Sequence, residues 1–505
     1  MSRGGSNPSE LEQPPSGSTP ETTSENQDGH AKETDLEAGA SPRENLDSSP
    51  DDRDLVTWET PQDAANPKNW TTKEKMVVTV VMSTFTFISP VSSSMVAPTL
   101  TKLGEDLGMK KEIEVEMALS IFILGYALGP LFFGPISEVF GRSRVLHCGL
   151  AHNKAEFFVF RFLAGIGGSA PLAIGAGVIS DCWSPEERGK AVGIYSLGPM
   201  FGPVVGPVAA GFIAERRTWR WVFWSTSIAA GIIQVAGLLW LRETYAPILL
   251  WRKRQRLVKE TGNQKLHTGQ DSTKSLASTI GDALVRPARM LATQPIVQVI
   301  ALYMAYLFGV TYLITVTFPV VWTDVYGESL GISGLNFISL AVGSIFGAMV
   351  SIHFVDRIYR RLKEENGGVG RPEFRVPSMF LGSALVPIGL FWYGWSVQGR
   401  VHWIMPNIGL SIFVAGTLVC LQGMQGYVID SYSCFAASGL SAAVVLRSLA
   451  GFAFPLFAPY LYQRLDYGWG TSVLAFISIA IGIPAPFLFY LFGARLRTMS
   501  KFAAG

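Results

Sequence analysis

Runs of apolar residues recur along this chain at the length of a bilayer crossing. Eleven lie near 76–98, 117–136, 157–179, 190–213, 221–241, 296–321, 334–355, 376–397, 403–427, 434–459 and 470–493. A helix of about 20 apolar residues spans the hydrocarbon core. These runs are apolar all round rather than striped, unlike the amphipathic helices of a soluble core. The pattern predicts an all-α membrane protein. Before the first run, residues up to about Asp54 are rich in Ser, Pro, Glu, Asp, Asn and Gly. Such a segment cannot bury enough apolar surface to offset its ordering entropy, which predicts a disordered acidic cytoplasmic tail over 1–57. It has no apolar core behind a basic start, so it is not read as a signal peptide.

The polar gaps organise the runs. Residues 242–289 form a long break carrying ten Lys/Arg, Arg252, Lys253, Arg254 and Arg256 among them. This predicts an N-terminal helical bundle over 58–241, a basic cytoplasmic loop over 242–292 and a C-terminal six-helix bundle over 293–505. Short cytoplasmic loops favour Lys and Arg. The remaining basic clusters, such as Arg142 with Arg144 and Arg357 with Arg360 and Arg361, share one side only if the first half also holds six spans. The missing one would have to fit between Arg144 and Arg161, where Val145 to Phe160 supply only sixteen residues, with His147, His152, Asn153, Lys154 and Glu156 among them. The fold expected is therefore a 6+6 two-bundle plan whose third span, near 145–156, is truncated or missing. On that plan the eleven runs are spans 1, 2 and 4 to 12, with both termini cytoplasmic.

The halves also echo each other. Gly134-Pro-Ile-Ser-Glu138-Val-Phe-Gly141-Arg142-Ser-Arg144 follows span 2, and Asp356-Arg357-Ile-Tyr-Arg360-Arg361 follows span 8. Each sets an acid four residues before an arginine. Val178-Ile-Ser-Asp181 and Val428-Ile-Asp430 close spans 4 and 10. Repeated halves around a basic connector point to a secondary transporter.

At these residues the chain resembles the major facilitator superfamily, and within it the twelve-span drug:proton antiporters of fungi. The resemblance runs from about Trp58 to Phe502 outside the central loop and the short third span. Gly134, Glu138, Gly141, Arg142 and Arg144 resemble the family's loop 2–3 signature, with Glu where the family usually has Asp. Arg161-Phe-Leu-Ala-Gly165-Ile-Gly167-Gly168 resembles the signature of proton-coupled members. Gly198, Pro199, Gly202, Pro203, Gly206, Pro207 and Gly211 resemble the antiporter signature of exporters. The resemblance implies that Arg161 biases protonation of a nearby carboxylate. Proton coupling and gating are further expected from a relay of Glu138, Arg142 and Asp181 on the inner face, and from Arg447, which lies well inside its span. Residue chemistry leaves plainer roles open: a topological anchor at Arg142 and Arg144, a snorkelling side chain at Arg161, and pairing of Arg447 with Asp430 or a backbone carbonyl.

A pocket between the bundles is expected at Ser93, Tyr303, Tyr306, Tyr312, Asn336, Gln422 and Gln425, because aromatics with a few amides suit bulky, partly apolar ligands. No span centre holds an Asp or Glu, which argues against a dedicated polycation exporter. The formal net charge of +2 conceals a division. Residues 1–54 hold 13 Asp/Glu against 4 Lys/Arg, or −9, which leaves +11 for the rest. The four cysteines lack metal spacing and the six histidines are scattered. No cofactor, metal site, enzymatic activity or nucleic-acid partner is expected. The expected function is proton-coupled efflux of drugs, toxins or secondary metabolites by a monomer in the plasma membrane, with the vacuolar membrane as the other location. A polyamine or other metabolite transporter, and an inactive or receptor-like protein with a defective third span, remain as alternatives.

Overall fold

The computed structural model describes residues 54–60, 62–140, 154–184, 187–268, 276–432 and 436–498. In the first half, α1 (Thr72–Ser94) is followed by α2 (Leu100–Asp106), α3 (Glu112–Phe140), α4 (Lys154–Cys182), α5 (Arg188–Arg216) and α6 (Arg220–Trp240). The connector holds α7 (Ala246–Thr261) and α8 (Leu276–Thr293). The second half comprises α9 (Pro295–Val320), α10 (Leu330–Leu335), α11 (Ile338–Val350), α12 (Asp356–Glu365), α13 (Val376–Gln398), α14 (Ile404–Ser431), α15 (Ala436–Gly482) and α16 (Pro484–Thr498).

Local chemistry sets the ends of these elements. Thr71 caps α1 in a reciprocal capping box with Glu74, where the apolar run begins. Asp466, at φ 54°, breaks α15 into two helices, so Gly439–Arg497 makes two crossings. With α3, the described helices supply the eleven runs expected from the sequence. α9 is mostly buried, with Tyr303, Met304, Leu307 and Val310 in the main core cluster. α6 instead turns Trp224, Ile228, Ile232, Leu238 and Leu239 outward. An exposed apolar wall of this kind faces lipid in a bilayer protein.

Lipid tails are as apolar as leucine, so helices in a bilayer cohere through close packing and hydrogen bonds. Glycines supply the close packing here. A side chain at Gly125 would strike the Phe162 carbonyl, one at Gly165 the Phe122 carbonyl, and one at Gly129 the Ser169 hydroxyl. Residue numbers rise together along this contact, so α3 and α4 run parallel. Only residues 141–153 intervene between them. As an α-helix those thirteen residues would reach about 20 Å, against a hydrocarbon core of about 30 Å. The expected short third span falls on that segment, outside the described residues up to Lys154, where α4 begins.

The connector is more structured than its polar composition suggests. β1 (Leu55–Val56) pairs in parallel with β2 (His267–Thr268). Lys253 Nζ lies 3.1 Å from Glu59 and 3.2 Å from the Thr57 carbonyl. α8 packs against α3 and α15.

Gly125→Leu should push α3 and α4 apart and destabilise the protein by about 1–3 kcal/mol or more, the usual cost of overpacking. Gly167→Ala, where an added Cβ meets nothing within 4 Å, should not. Thermal unfolding midpoints of the two purified variants check both.

Candidate functional site

A glycine-rich face on α5 packs within its own half and, at its outer end, against the other half. On α5, Gly198, Gly202 and Gly206 lie against the α1 backbone at Ser83, Phe87 and Val91. Pro199, Pro203 and Pro207 punctuate the same helix without breaking it. One turn further out, Gly211 meets the Leu330 carbonyl of α10. Gly331 and Gly334 of α10 return the contact, against Phe212 and the Pro207 carbonyl. The exporter-like signature therefore seats α5 on its own bundle and, at its outer end, on the opposite one.

Deeper in, the halves meet across charged and aromatic groups. Arg161 of α4 is only 4% exposed. Its Nη1 donates to the Ser92 carbonyl at 2.7 Å, Nη2 to Ser93 at 3.4 Å and Nε to Ala118 at 3.4 Å. Its guanidinium lies 4.8 Å from the Phe122 ring centre. The acceptors on α1 sit at the end of the helix, where the backbone tightens towards Val96 and Pro98. Burial and these three carbonyls make Arg161 an anchored interior charge, not a side chain reaching for the membrane surface.

Arg447 of α15 approaches from the other half, its guanidinium 4.9 Å from the Phe308 ring centre. Phe308 packs on Tyr312 at 4.9 Å, and the Tyr312 hydroxyl lies 3.5 Å from Ser93 Oγ. Across the seam, Phe122 stacks on Tyr126. Each half thus presents a Phe–Tyr pair at i and i+4, and each Phe bears one arginine on its face. Cation–π contact suits a guanidinium that has left water.

Of the expected pocket residues, the structure brings Ser93 and Tyr312 to this seam. Tyr303 is fully buried against Cys420, and Tyr306 donates to the Leu474 carbonyl, both inside the C-terminal half. These two tyrosines are spent on helix packing because their side of α9 faces α14 and α15. Asn336, at the end of α10, donates to Glu328 at 2.7 Å and accepts from Asn407 at 2.7 Å, so its side chain ties α10 to the α9–α10 turn and to α14. Gln422 is exposed and Gln425 half-buried on α14.

The expected charge pairs also resolve. Asp430 does not pair with Arg447. It accepts from Arg375 Nε at 2.6 Å, because α13 and α14 are neighbours and Arg375 ends the short turn before α13. Arg497 pairs with Glu373 at 2.5 Å beside it. Asp181 accepts from Thr244 at 3.3 Å. Side-chain placements for Gly134 and Glu138, and everything about Gly141, Arg142 and Arg144, lie outside the described residues. On α3, Glu116 is half-buried with one carboxylate oxygen buried and without a hydrogen-bond partner. No group of three or more metal-ligating side chains occurs among the described residues.

The sequence profile of the Major Facilitator Superfamily matches residues 82–455. The chain belongs to the major facilitator superfamily. It is similar to "Efflux pump vrtL" of Penicillium aethiopicum, at 55% identity over 95% of this chain and 98% of that one. It is also similar to "Efflux pump radE" of Floropilus chiversii, at 40% identity over 90% and 88%. Among solved structures, the Escherichia coli xylose transporter XylE in a partially occluded inward-open state shares the fold. Its TM-score is 0.58 and its identity 16%, covering 83% of this chain and 98% of that one. The chain is a multi-pass membrane transporter of this superfamily, not an enzyme.

Phe122 and Tyr126 were not picked out from the sequence. Their signal is an aromatic pair at helical spacing on α3, matched by Phe308 and Tyr312 on α9.

Burial raises the Glu328 carboxyl above its usual range, against the opposing hydrogen bond from Asn336. A raised folded-state value stabilises below the unfolded value and loses that contribution as pH rises through the folded one. Glu328→Gln should therefore be more stable than the parent at neutral pH and lose that advantage at acid pH, in unfolding midpoints followed against pH. Asp430→Asn should cost about 1–3 kcal/mol, the usual worth of a hydrogen bond to a charged group. Thermal unfolding in detergent measures it.

Proposed function

We propose that this transporter exports small, partly apolar organic molecules, such as drugs, toxins or secondary metabolites, in exchange for protons. The observation that carries this reading is the α5 seam. Its glycines bring backbone against backbone on α1 and, at the outer end, on α10 of the other half. A seam of small residues can part and close without large side chains having to repack. The two relatives, both named efflux pumps, support the direction of transport. The aromatic lining around Ser93 and Tyr312 supports a partly apolar cargo. We place the protein in the plasma membrane as a monomer, with both termini cytoplasmic.

Proton coupling is assigned to Glu138, Arg142 and Asp181 on the inner face, with Arg161 and Arg447 on the pathway. Protonation of the acids weakens their pairing with the arginines and frees the halves to rock. Glu116, with a buried carboxylate oxygen that has no hydrogen-bond partner among the described residues, joins the carboxylates to be tested.

A second reading rests on the parallel course of α3 and α4 with only residues 141–153 between them. A first bundle without a full third span makes a receptor-like or inactive protein. Sequencing the transcript across 145–160 separates the two: about 20 additional codons restore the exporter plan, and none favours the second reading.

Cells carrying the protein should accumulate less of a toxic aromatic compound than cells lacking it. Equal accumulation across a broad panel of compounds rejects export. In proteoliposomes with an imposed pH gradient, Glu138→Gln and Asp181→Asn should each lower proton-driven flux at least about tenfold, the scale of losing one charge-assisted contact. Undiminished flux in both rejects the inner-face assignment.

A further inference from the structure

The two arginines at the seam are not equally served by their surroundings. Arg161 directs its N–H groups to three backbone carbonyls. Arg447 has no hydrogen-bond acceptor among the described residues, and its Nε is buried without a partner. The titratable groups facing the two guanidiniums are the phenols of Tyr126 and Tyr312. A phenol is neutral near pH 7. Among the described residues no carboxylate reaches either arginine, and the charged neighbour of Glu116 is Glu112. Two cations therefore stand at the meeting of the halves without a counter-ion among the described residues. Ionisable groups at membrane depth are costly unless paired or placed for function.

The surroundings of Arg447 fit a particular partner. A guanidinium offers a planar fork that grips a carboxylate with two parallel hydrogen bonds. The Tyr312 hydroxyl, 3.5 Å from Ser93 Oγ, lies within electrostatic reach of both arginines and can donate to the same anion. Phe308 and Phe122 offer ring faces for an aromatic body.

We infer that Arg447, besides its place on the proton pathway, is the binding point for an acidic group on the substrate, so that the cargo class is aromatic organic anions, carboxylates foremost. Arg161, with three of its five N–H groups directed to backbone carbonyls, is a fixed positive charge that biases the seam towards anions. Tyr312 is a second hydrogen-bond donor for the same anion. This deepens the export reading and rests on it for the word substrate, but its test is a binding measurement that does not depend on export.

The full chain, purified in nanodiscs of zwitterionic lipid, is titrated with three probes that share one ring system: 1-naphthoate, neutral 1-naphthamide and cationic 1-naphthylmethylammonium. Tryptophan fluorescence and calorimetry give the affinities. Naphthoate should bind at least about tenfold more tightly than the amide, the scale of a hydrogen bond to a charged group. Arg447→Gln should bring naphthoate down to the level of the amide and leave the amide unchanged. Arg447→Lys should recover part of the difference. Tyr312→Phe keeps the ring and the charge, and stands as the second variant should Arg447→Gln fail to fold. It should weaken naphthoate alone, by a few-fold. Equal affinities for naphthoate and amide, binding of none of the three, or an unchanged naphthoate affinity in Arg447→Gln overturns the inference. Vesicle transport separates the two readings. Naphthoate bound with the expected selectivity but not exported rejects export and keeps the anion site. Export of the amide in preference to naphthoate keeps export and rejects the anion site.

Discussion

The N-terminal half depends on one buried guanidinium. Arg161 draws together α4, which carries it, the end of α1 through the Ser92 and Ser93 carbonyls, and α3 through Ala118. The end of an α-helix has carbonyls without intrahelical donors, and in a bilayer no water is at hand to satisfy them. Arg161 supplies the donors from inside the protein. The cost of placing a charge at that depth is offset by the carbonyls it satisfies and by the face of Phe122. The irregular end of α1 and the interior arginine each make the other tolerable. The glycine contacts at Gly125 and Gly165 then fix the spacing at which the arginine reaches across.

Much of this was legible in the sequence because the bilayer leaves few choices. Runs of about 20 apolar residues must be helices, since no other open structure satisfies its backbone in lipid. All eleven expected runs correspond to described helices. The short interval between Arg144 and Arg161 stood out for the same reason of length, and most of it lies outside the described residues. Individual side chains were harder to place. Tyr303, Tyr306 and Tyr312 lie on one helix at spacings that suggest a common stripe, yet the first two turn into the C-terminal core and only Tyr312 reaches the seam. Helical periodicity fixes relative angle, not which neighbour occupies each side. Asp430 and Arg447 share a stretch of chain, but Asp430 belongs with Arg375. A partner 55 residues away on an adjacent helix leaves no local signal.

The two charged pairs Arg375–Asp430 and Arg497–Glu373 gather at the entry to α13. They give the C-terminal half a structure where the N-terminal half has its signature loop, and the echo between Asp181 and Asp430 follows the same logic. Asp181 meets Thr244 at the start of the connector, so the acid that closes α4 also touches the segment that links the halves.

The short pairing of β1 with β2 changes what that connector is. Without it, the stretch between α6 and α9 would be a long polar tether whose ends could drift apart by the reach of a flexible coil. With Leu55–Val56 laid beside His267–Thr268, and Lys253 held against Glu59, the segment just ahead of α1 is fastened to the middle of the linker. The free contour is thereby cut to the portion after β2. Any separation of the two bundles on the inner side must either stay within that shorter leash or peel the two strands apart.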